Sequence, residues 1–193
     1  LDDKTEISYK KLLIATGACA RSWVAPGSDK QGVFGFRILE DAKAIINAKK
    51  LAKSAVAIGG GFISFETAHL LKESGIDVTI VVREAAFWET VLDKTASKIV
   101  GDAIEKSGVN VLYSTEVSEV VGGDKVEGVK LTSGETLDCE LVVVGIGVAC
   151  MLDWLSESGI ERDRGIIANE YLETNVEDVW VAGDVAQYKD LVL

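Results

Sequence analysis

Ala55-Val56-Ala57-Ile58-Gly59-Gly60-Gly61-Phe62-Ile63-Ser64-Phe65-Glu66 runs from a short apolar strand through three glycines into an amphipathic helix. Glycine turns with φ > 0 and has no Cβ, so backbone N–H groups can approach phosphate oxygens closely. The helix N-terminus that follows adds partial positive charge. The spacing Gly59-x-Gly61-x-x-Ser64 matches the dinucleotide fingerprint G-x-G-x-x-G with serine at its third position. A plain tight turn would use the same glycines, but Asp77-Val78-Thr79-Ile80-Val81-Val82 supplies a second strand at the distance a βαβ unit needs. The pair of strands favours a nucleotide pyrophosphate site.

Upstream of this unit, Tyr9 to Ala15 reads as a strand that ends at Thr16-Gly17. A connector with Pro26, Gly27 and Gly32 follows, and Leu39 to Lys50 shows helical spacing of its apolar residues. Downstream, Asp93 to Ser107 is an amphipathic helix stopped by Gly108, and Val109 to Tyr113 is a third strand. The pattern then changes. Val117 to Val121, the turn Gly122-Gly123-Asp124-Lys125, Val126 to Leu131 and Ser133-Gly134 are spaced for an antiparallel meander without helices. Glu140 to Gly147 returns as a central buried strand, followed by a short helix near Leu152 to Glu157 and strands at Ile166-Ile167 and Val179 to Ala182.

The bulk properties fit one large or two small globular α/β domains: 193 residues, 48% hydrophobic and 26% charged. Twenty Lys and Arg against 31 Asp and Glu leave a formal charge of −11, and no long basic run appears. Nucleic-acid and anionic-membrane partners are therefore not expected. No apolar run approaches a membrane span and no leader pattern opens the chain, so a cytoplasmic location is the expectation. Cys19, Cys139 and Cys150 are odd in number and widely spaced, which speaks against a disulfide scaffold, a metal site or a C-x-x-C pair. His69 lies on the helix after the glycines, as a packing or surface residue.

Gly183-Asp184 follows the strand Val179 to Ala182 and precedes what reads as the start of a helix. Its carboxylate fits either an N-cap or an acceptor for cofactor hydroxyls.

Four segments, in order, resemble the motifs of the two-dinucleotide flavoproteins, the pyridine nucleotide-disulfide oxidoreductases. They are Tyr9 to Gly17, the glycine motif with Glu66, Leu141-Val142-Val143-Val144-Gly145-Ile146-Gly147, and Thr174 to Asp184. The resemblance is nearest to the branch of rubredoxin reductases, NADH oxidases and nitrite reductase flavin domains. It implies an α/β fold, a three-layer FAD/NAD(P)-binding, Rossmann-like domain with a parallel sheet plus an antiparallel β-meander. In such proteins the NAD(P) domain is inserted into the FAD domain. The expected division is thus residues 1–32 as a residual FAD-domain segment, 33–148 as the NAD(P)-binding domain and 149–193 as the returning FAD-domain segment. The chain starts at Leu1 without methionine, and Leu1 to Lys11 holds no second glycine fingerprint, so the expectation is a central NAD(P)-binding fragment of a longer protein.

Carried onto this sequence, the resemblance gives Gly59, Gly60, Gly61 and the following amides of Phe62 and Ile63 to the NAD(P)H pyrophosphate. Phe62 resembles the apolar gate over the nicotinamide, and Glu66 the glutamate directed at nicotinamide and flavin. A core aromatic and a helix-surface acid are their plainer readings. Gly145 and Gly147 resemble the loop passing close to the nucleotide, while Gly183 and Asp184 resemble the flavin motif whose aspartate holds the ribityl chain. The sequence departs from the pattern in three places. Ser64 replaces the third glycine, Val148-Ala149-Cys150 stands where an Arg-Pro pair is common, and Val82 stands where an acid would meet the ribose 2′-hydroxyl of NADH. Arg83 beside it suits a 2′-phosphate and leans the reading toward NADPH; Glu84 suits a ribose hydroxyl.

The function implied is hydride passage from the nicotinamide of NAD(P)H to FAD in a flavin-dependent oxidoreductase, with the full-length parent a homodimer. No side chain is assigned as a catalytic acid or base, because the cofactors carry the chemistry. The electron acceptor stays open among dioxygen, a disulfide, rubredoxin or ferredoxin, nitrite through a partner domain, and a quinone. The rival reading is a non-enzymatic NAD(P)-binding or redox-sensing module, against which the Gly183-Asp184 motif argues.

Overall fold

The computed structural model describes residues 5–189. Its helices are α1 (Leu39–Ala48), α2 (Phe62–Glu73) and α3 (Lys94–Lys106). In chain order the strands begin with β1 (Leu12–Ile14), β2 (Cys19–Ala20), β3 (Val33–Gly35), β4 (Ser54–Ile58), β5 (Asp77–Val81), β6 (Asn110–Leu112) and β7 (Val117–Val121). They continue with β8 (Gly128–Leu131), β9 (Thr136–Asp138), β10 (Leu141–Val144), β11 (Val148–Ala149), β12 (Ile166–Ile167), β13 (Val179–Val181) and β14 (Ala186–Gln187). The chain divides into two compact units, one spanning Ala20–Gly147 and the other combining the residues up to Cys19 with those from Val148 onward.

The central unit is built on a five-stranded sheet in the order β3-β10-β4-β5-β6, and every neighbouring pair is parallel. Period-two alternation sorts its apolar side chains into two cores. Ala55 and Ala57 of β4, Val78 and Ile80 of β5, and Leu141 and Val143 of β10 pack with Ile45, Ala68, Leu71 and Ile104 of the three helices. The intervening residues Val56, Ile58, Val81, Val142 and Val144 pack with Val120, Val129 and Leu131 of the antiparallel sheet β7-β8-β9 and with Val126 of the β7–β8 connection. Helices, parallel sheet and meander therefore form the three layers the sequence implies. Each apolar strand run is continuous because both faces of the sheet are covered. Asp93 starts α3 by accepting a hydrogen bond from the Ala96 amide at 2.8 Å, and Gly108 follows its end at φ +87°.

The outer unit pairs β1 with β13 and β12 with β14, both parallel. Its core holds Ile14, Leu155, Ile166, Val179, Val181 and Val185.

Three expectations change here. Residues 20–32, assigned from sequence to the first segment, belong to the central unit. The Val120 amide donates to Pro26 O at 2.9 Å and the Val142 amide to Gly32 O at 2.8 Å. A stretch poor in apolar residues reads as a linker, whereas its main-chain groups bind it to the meander and to β10. The helix expected after Asp184 is a single 3-10 turn, Gly183–Val185, capped by Ala182, so Asp184 is not an N-cap. Burial of Val185 and pairing of Ala186–Gln187 with β12 pull the chain back into extended conformation. Likewise the helix near Leu152 to Glu157 is one 3-10 turn, Asp153–Leu155. Among the described residues, no helix is long and apolar enough to cross a membrane.

Candidate functional site

At the C-terminal edge of the parallel sheet, β4 ends at Ile58 and the chain turns through Gly59, Gly60 and Gly61 into α2. The three glycines are not equivalent. Gly59 sits at φ +111°, and a Cβ there would come within 2.5 Å of Gly145 O. A Cβ on Gly60 would come within 2.8 Å of Val82 Cγ1, whose side chain is fully buried. Both are glycine because the protein itself leaves no room. Gly61, by contrast, has φ −80° and ψ 172°, allowed for any residue, and its Cβ would approach only Gly145 O at 3.4 Å. The fold does not require glycine at position 61. Gly61 is also the N-cap of α2 and supplies no side-chain hydrogen bond to it, so the first turn presents its amides to whatever binds in front.

Ser64 explains its departure from the fingerprint. It is fully buried, and its hydroxyl donates to Ile58 O at 3.0 Å, with Gly145 O also in reach at 3.3 Å. A Cβ on Gly145 would collide with that hydroxyl, so Gly145 and Ser64 form a matched pair that lets α2 lie close to β4 and β10. The serine thus does with a hydrogen bond what the missing glycine does by having no side chain.

A cavity of about 540 Å³ opens in front of this turn. Gly59, Gly60, Gly61, Arg83, Gly145 and Gly147 line it, so six of the residues picked from sequence meet at one place. Arg21, Trp23, Glu84, Trp88, Glu89 and Glu116 line it as well. Arg21 lies beside Gly147, and its amide donates to Gly147 O at 3.0 Å. Arg83 donates to Glu84 Oε1 at 2.9 Å, an exposed pair that a ligand can open at small cost. With two arginines facing three glutamates, an anion here depends mainly on main-chain amides.

The remaining predicted residues lie elsewhere. Phe62, 64% exposed, is not a core aromatic; its ring tilts over Trp88 with centroids 4.4 Å apart. Ile63 and Glu66 are exposed on α2, outside the lining of the cavity. Val82 is buried beneath Gly60 and presents nothing to the cavity. In the outer unit, Gly183 takes φ +78° and Asp184 is exposed. There the Cys150 thiol donates to Asp184 O at 3.3 Å. Arg21, Trp23 and Trp88 belong to no sequence motif; tertiary contacts bring them to the cavity.

The sequence profile of the family described as "Pyridine nucleotide-disulphide oxidoreductase" matches residues 1–192. The chain belongs to this family. Because the match runs through both units, membership of the pyridine nucleotide-disulphide oxidoreductases is not confined to a central NAD(P) segment. The chain is 34% identical over 183 residues to a nitrite reductase [NAD(P)H] of Bacillus subtilis, covering 95% of this chain and 23% of that protein. It is 31% identical over 192 residues to a rubredoxin-NAD(+) reductase of Pseudomonas putida, covering 98% of this chain and 49% of the other. The solved ferredoxin reductase from Rhodopseudomonas palustris superposes with a TM-score of 0.92 at 30% identity, over 98% of this chain and 47% of that one. The chain spans less than half the length of each of these pyridine nucleotide-disulphide oxidoreductase relatives.

Proposed function

We infer that the central unit binds NAD(P)H in the cavity before Gly59–Gly61, and that the chain belongs to an oxidoreductase passing hydride from the nicotinamide to FAD. The observation that carries this is Gly61. Its backbone is relaxed, a Cβ would fit the protein, and the space a side chain would enter is the space a pyrophosphate needs in order to reach the amides of α2. Gly145 and Gly147 line the same cavity, Gly145 directly beside the glycine turn. Arg21 and Arg83 supply the cationic groups at the cavity.

Nucleotide choice rests on the Arg83–Glu84 pair. A 2′-phosphate would draw Arg83 away from Glu84, whereas the hydroxyls of NADH would take the Glu84 carboxylate, which lies beside Gly60. The reading favours NADPH, because the guanidinium is the more exposed member, 74% against 35%, and forms the stronger bond with a dianionic group. Phe62 and Glu66, on one face of α2, would border the nicotinamide.

In the outer unit the exposed Asp184, after β13, would accept hydrogen bonds from flavin ribityl hydroxyls, with Gly183 leaving the approach open. Bound FAD supplies the two-electron acceptor. The chain's own work is to grip the pyrophosphate, fix the ribose and keep water from the ring contact. The partner is a nicotinamide dinucleotide together with an electron acceptor, for which an electron-carrier protein is the choice closest to the named relatives. Fluorescence titration with NADH and NADPH tests the reading: wild type binds and Gly61→Val does not. Equal binding by both proteins would reduce the glycines to a turn.

A further inference from the structure

Trp88 carries two unfavourable features at one residue. Its backbone lies at φ +54°, a region that side chains other than glycine, asparagine and aspartate seldom adopt. Its indole Nε1–H is buried and has no hydrogen-bond partner among the described residues. A buried donor without an acceptor destabilises the state that contains it. Packing alone does not account for the choice of residue. The ring sits among Phe62, Phe65 and Phe87, with centroids 4.4, 5.3 and 6.3 Å away, and another hydrocarbon ring would fill that cluster without an orphan donor.

The position of the residue gives the two features a meaning. Trp88 stands with Gly61 and Thr90 at the wall shared by the 540 Å³ cavity and an apolar groove that runs past Phe62, Val91 and Ile99. Gly61 is the residue whose missing Cβ leaves room for a pyrophosphate. The other side chains of the cavity include three glutamates, so an anion entering it gains from each additional hydrogen-bond donor. An indole N–H is such a donor, and it has no acceptor capacity to repel phosphate.

We propose that Trp88 is a dinucleotide-positioning residue: on entry of NAD(P)H, the loop between β5 and α3 shifts and the indole N–H donates to a pyrophosphate oxygen. The unfavourable φ and the orphan donor belong to the free state, and the ligand relieves the second. Phe62, stacked on the same indole, moves with it, which couples pyrophosphate binding to the residue at the start of α2. The inference rests on the dinucleotide reading of the cavity.

The test replaces the N–H while keeping the ring. β-(3-benzothienyl)alanine, introduced site-specifically at position 88, has the shape of tryptophan and sulfur in place of the N–H; Trp88→Phe is the genetically simpler companion. Thermal melting and NAD(P)H titration are measured on the same chain. The expected result is a benzothienyl variant that melts at or above the wild-type temperature without ligand and binds NAD(P)H about tenfold more weakly, the scale of one charge-assisted hydrogen bond. A melting temperature below wild type would show that the N–H already has a structural acceptor, and would overturn the proposal. Unchanged affinity in a variant of wild-type stability would overturn it while leaving the dinucleotide reading intact. Failure of the wild type itself to bind NAD(P)H would overturn both.

Discussion

Alanine substitution of the three glycines separates what the fold needs from what the ligand needs. At Gly59 an alanine must adopt φ +111°, worth about 1–3 kcal/mol of backbone strain. Its Cβ would also lie 2.5 Å from Gly145 O, and relieving that overlap costs a further ~1–3 kcal/mol. At Gly60 the conformation is ordinary but the Cβ lies 2.8 Å from the buried Val82 Cγ1, for a cost of about 1–3 kcal/mol. At Gly61 the nearest atom is 3.4 Å away and φ is −80°, so the change in stability should stay within about 1 kcal/mol, loss of a glycine cap being offset by reduced backbone freedom in the unfolded chain. Binding reverses the order of tolerance. A methyl on Gly61 holds the phosphates off the α2 amides, and one lost amide–phosphate bond is worth about 1.5–3 kcal/mol, or about ten- to 150-fold in affinity. Chemical denaturation gives the stabilities and NAD(P)H fluorescence gives the affinities. If Gly61→Ala is destabilised as much as Gly59→Ala, or binds NAD(P)H as well as wild type, the assignment of Gly61 to the ligand is wrong.

Other expectations follow from the same geometry. Arg83→Ala should weaken NADPH by about 1–3 kcal/mol and leave NADH nearly unchanged, read by parallel titrations; equal loss for both would remove the preference for a 2′-phosphate. Ser64→Gly, although it restores the third glycine of the fingerprint, should destabilise by about 1–2 kcal/mol, because it deletes the hydroxyl bond to Ile58 O and places glycine in a helix; greater stability would refute the matched-pair account. Burial, reinforced by Asp138, pushes the Cys139 thiol up to about 12, so mass spectrometry after alkylation near pH 8 should find the exposed Cys19 modified and Cys139 untouched until the chain unfolds. Tyr113 is likewise raised to about 12, by burial and then by Glu105. Both groups are held protonated in the fold, so the stability they contribute is complete below their ordinary values and is lost as pH climbs toward 12. Denaturation midpoints at pH 8 and pH 11 should differ in that direction.

The glycine turn, the parallel strands and the meander were legible because each has a local signature: continuous apolar runs for a sheet covered on both faces, turn residues between short alternating strands, and φ > 0 at Gly59. The long-range pairs were not. Nothing in the sequence near Arg21 or Trp23 marks them as cavity residues, since β10 and Gly147, more than a hundred positions away, place them there. Residues 20–32 looked like a linker because their attachment runs through backbone hydrogen bonds, which leave no side-chain pattern. At Gly183 to Gln187 local propensity favoured a helix, and pairing with β12 overrode it. Val82 shows the opposite case: alignment to a motif put it at the ribose, while strand alternation turned it inward toward Phe87 and the helix-side core.

Amide NMR titration of the isotope-labelled chain with NADPH reads the dinucleotide cavity residue by residue. The largest shifts should fall on Gly60 to Ile63, Arg83 to Trp88 and Gly145 to Gly147. Shifts confined to other residues, or no saturable shifts at millimolar ligand, would contradict the dinucleotide reading.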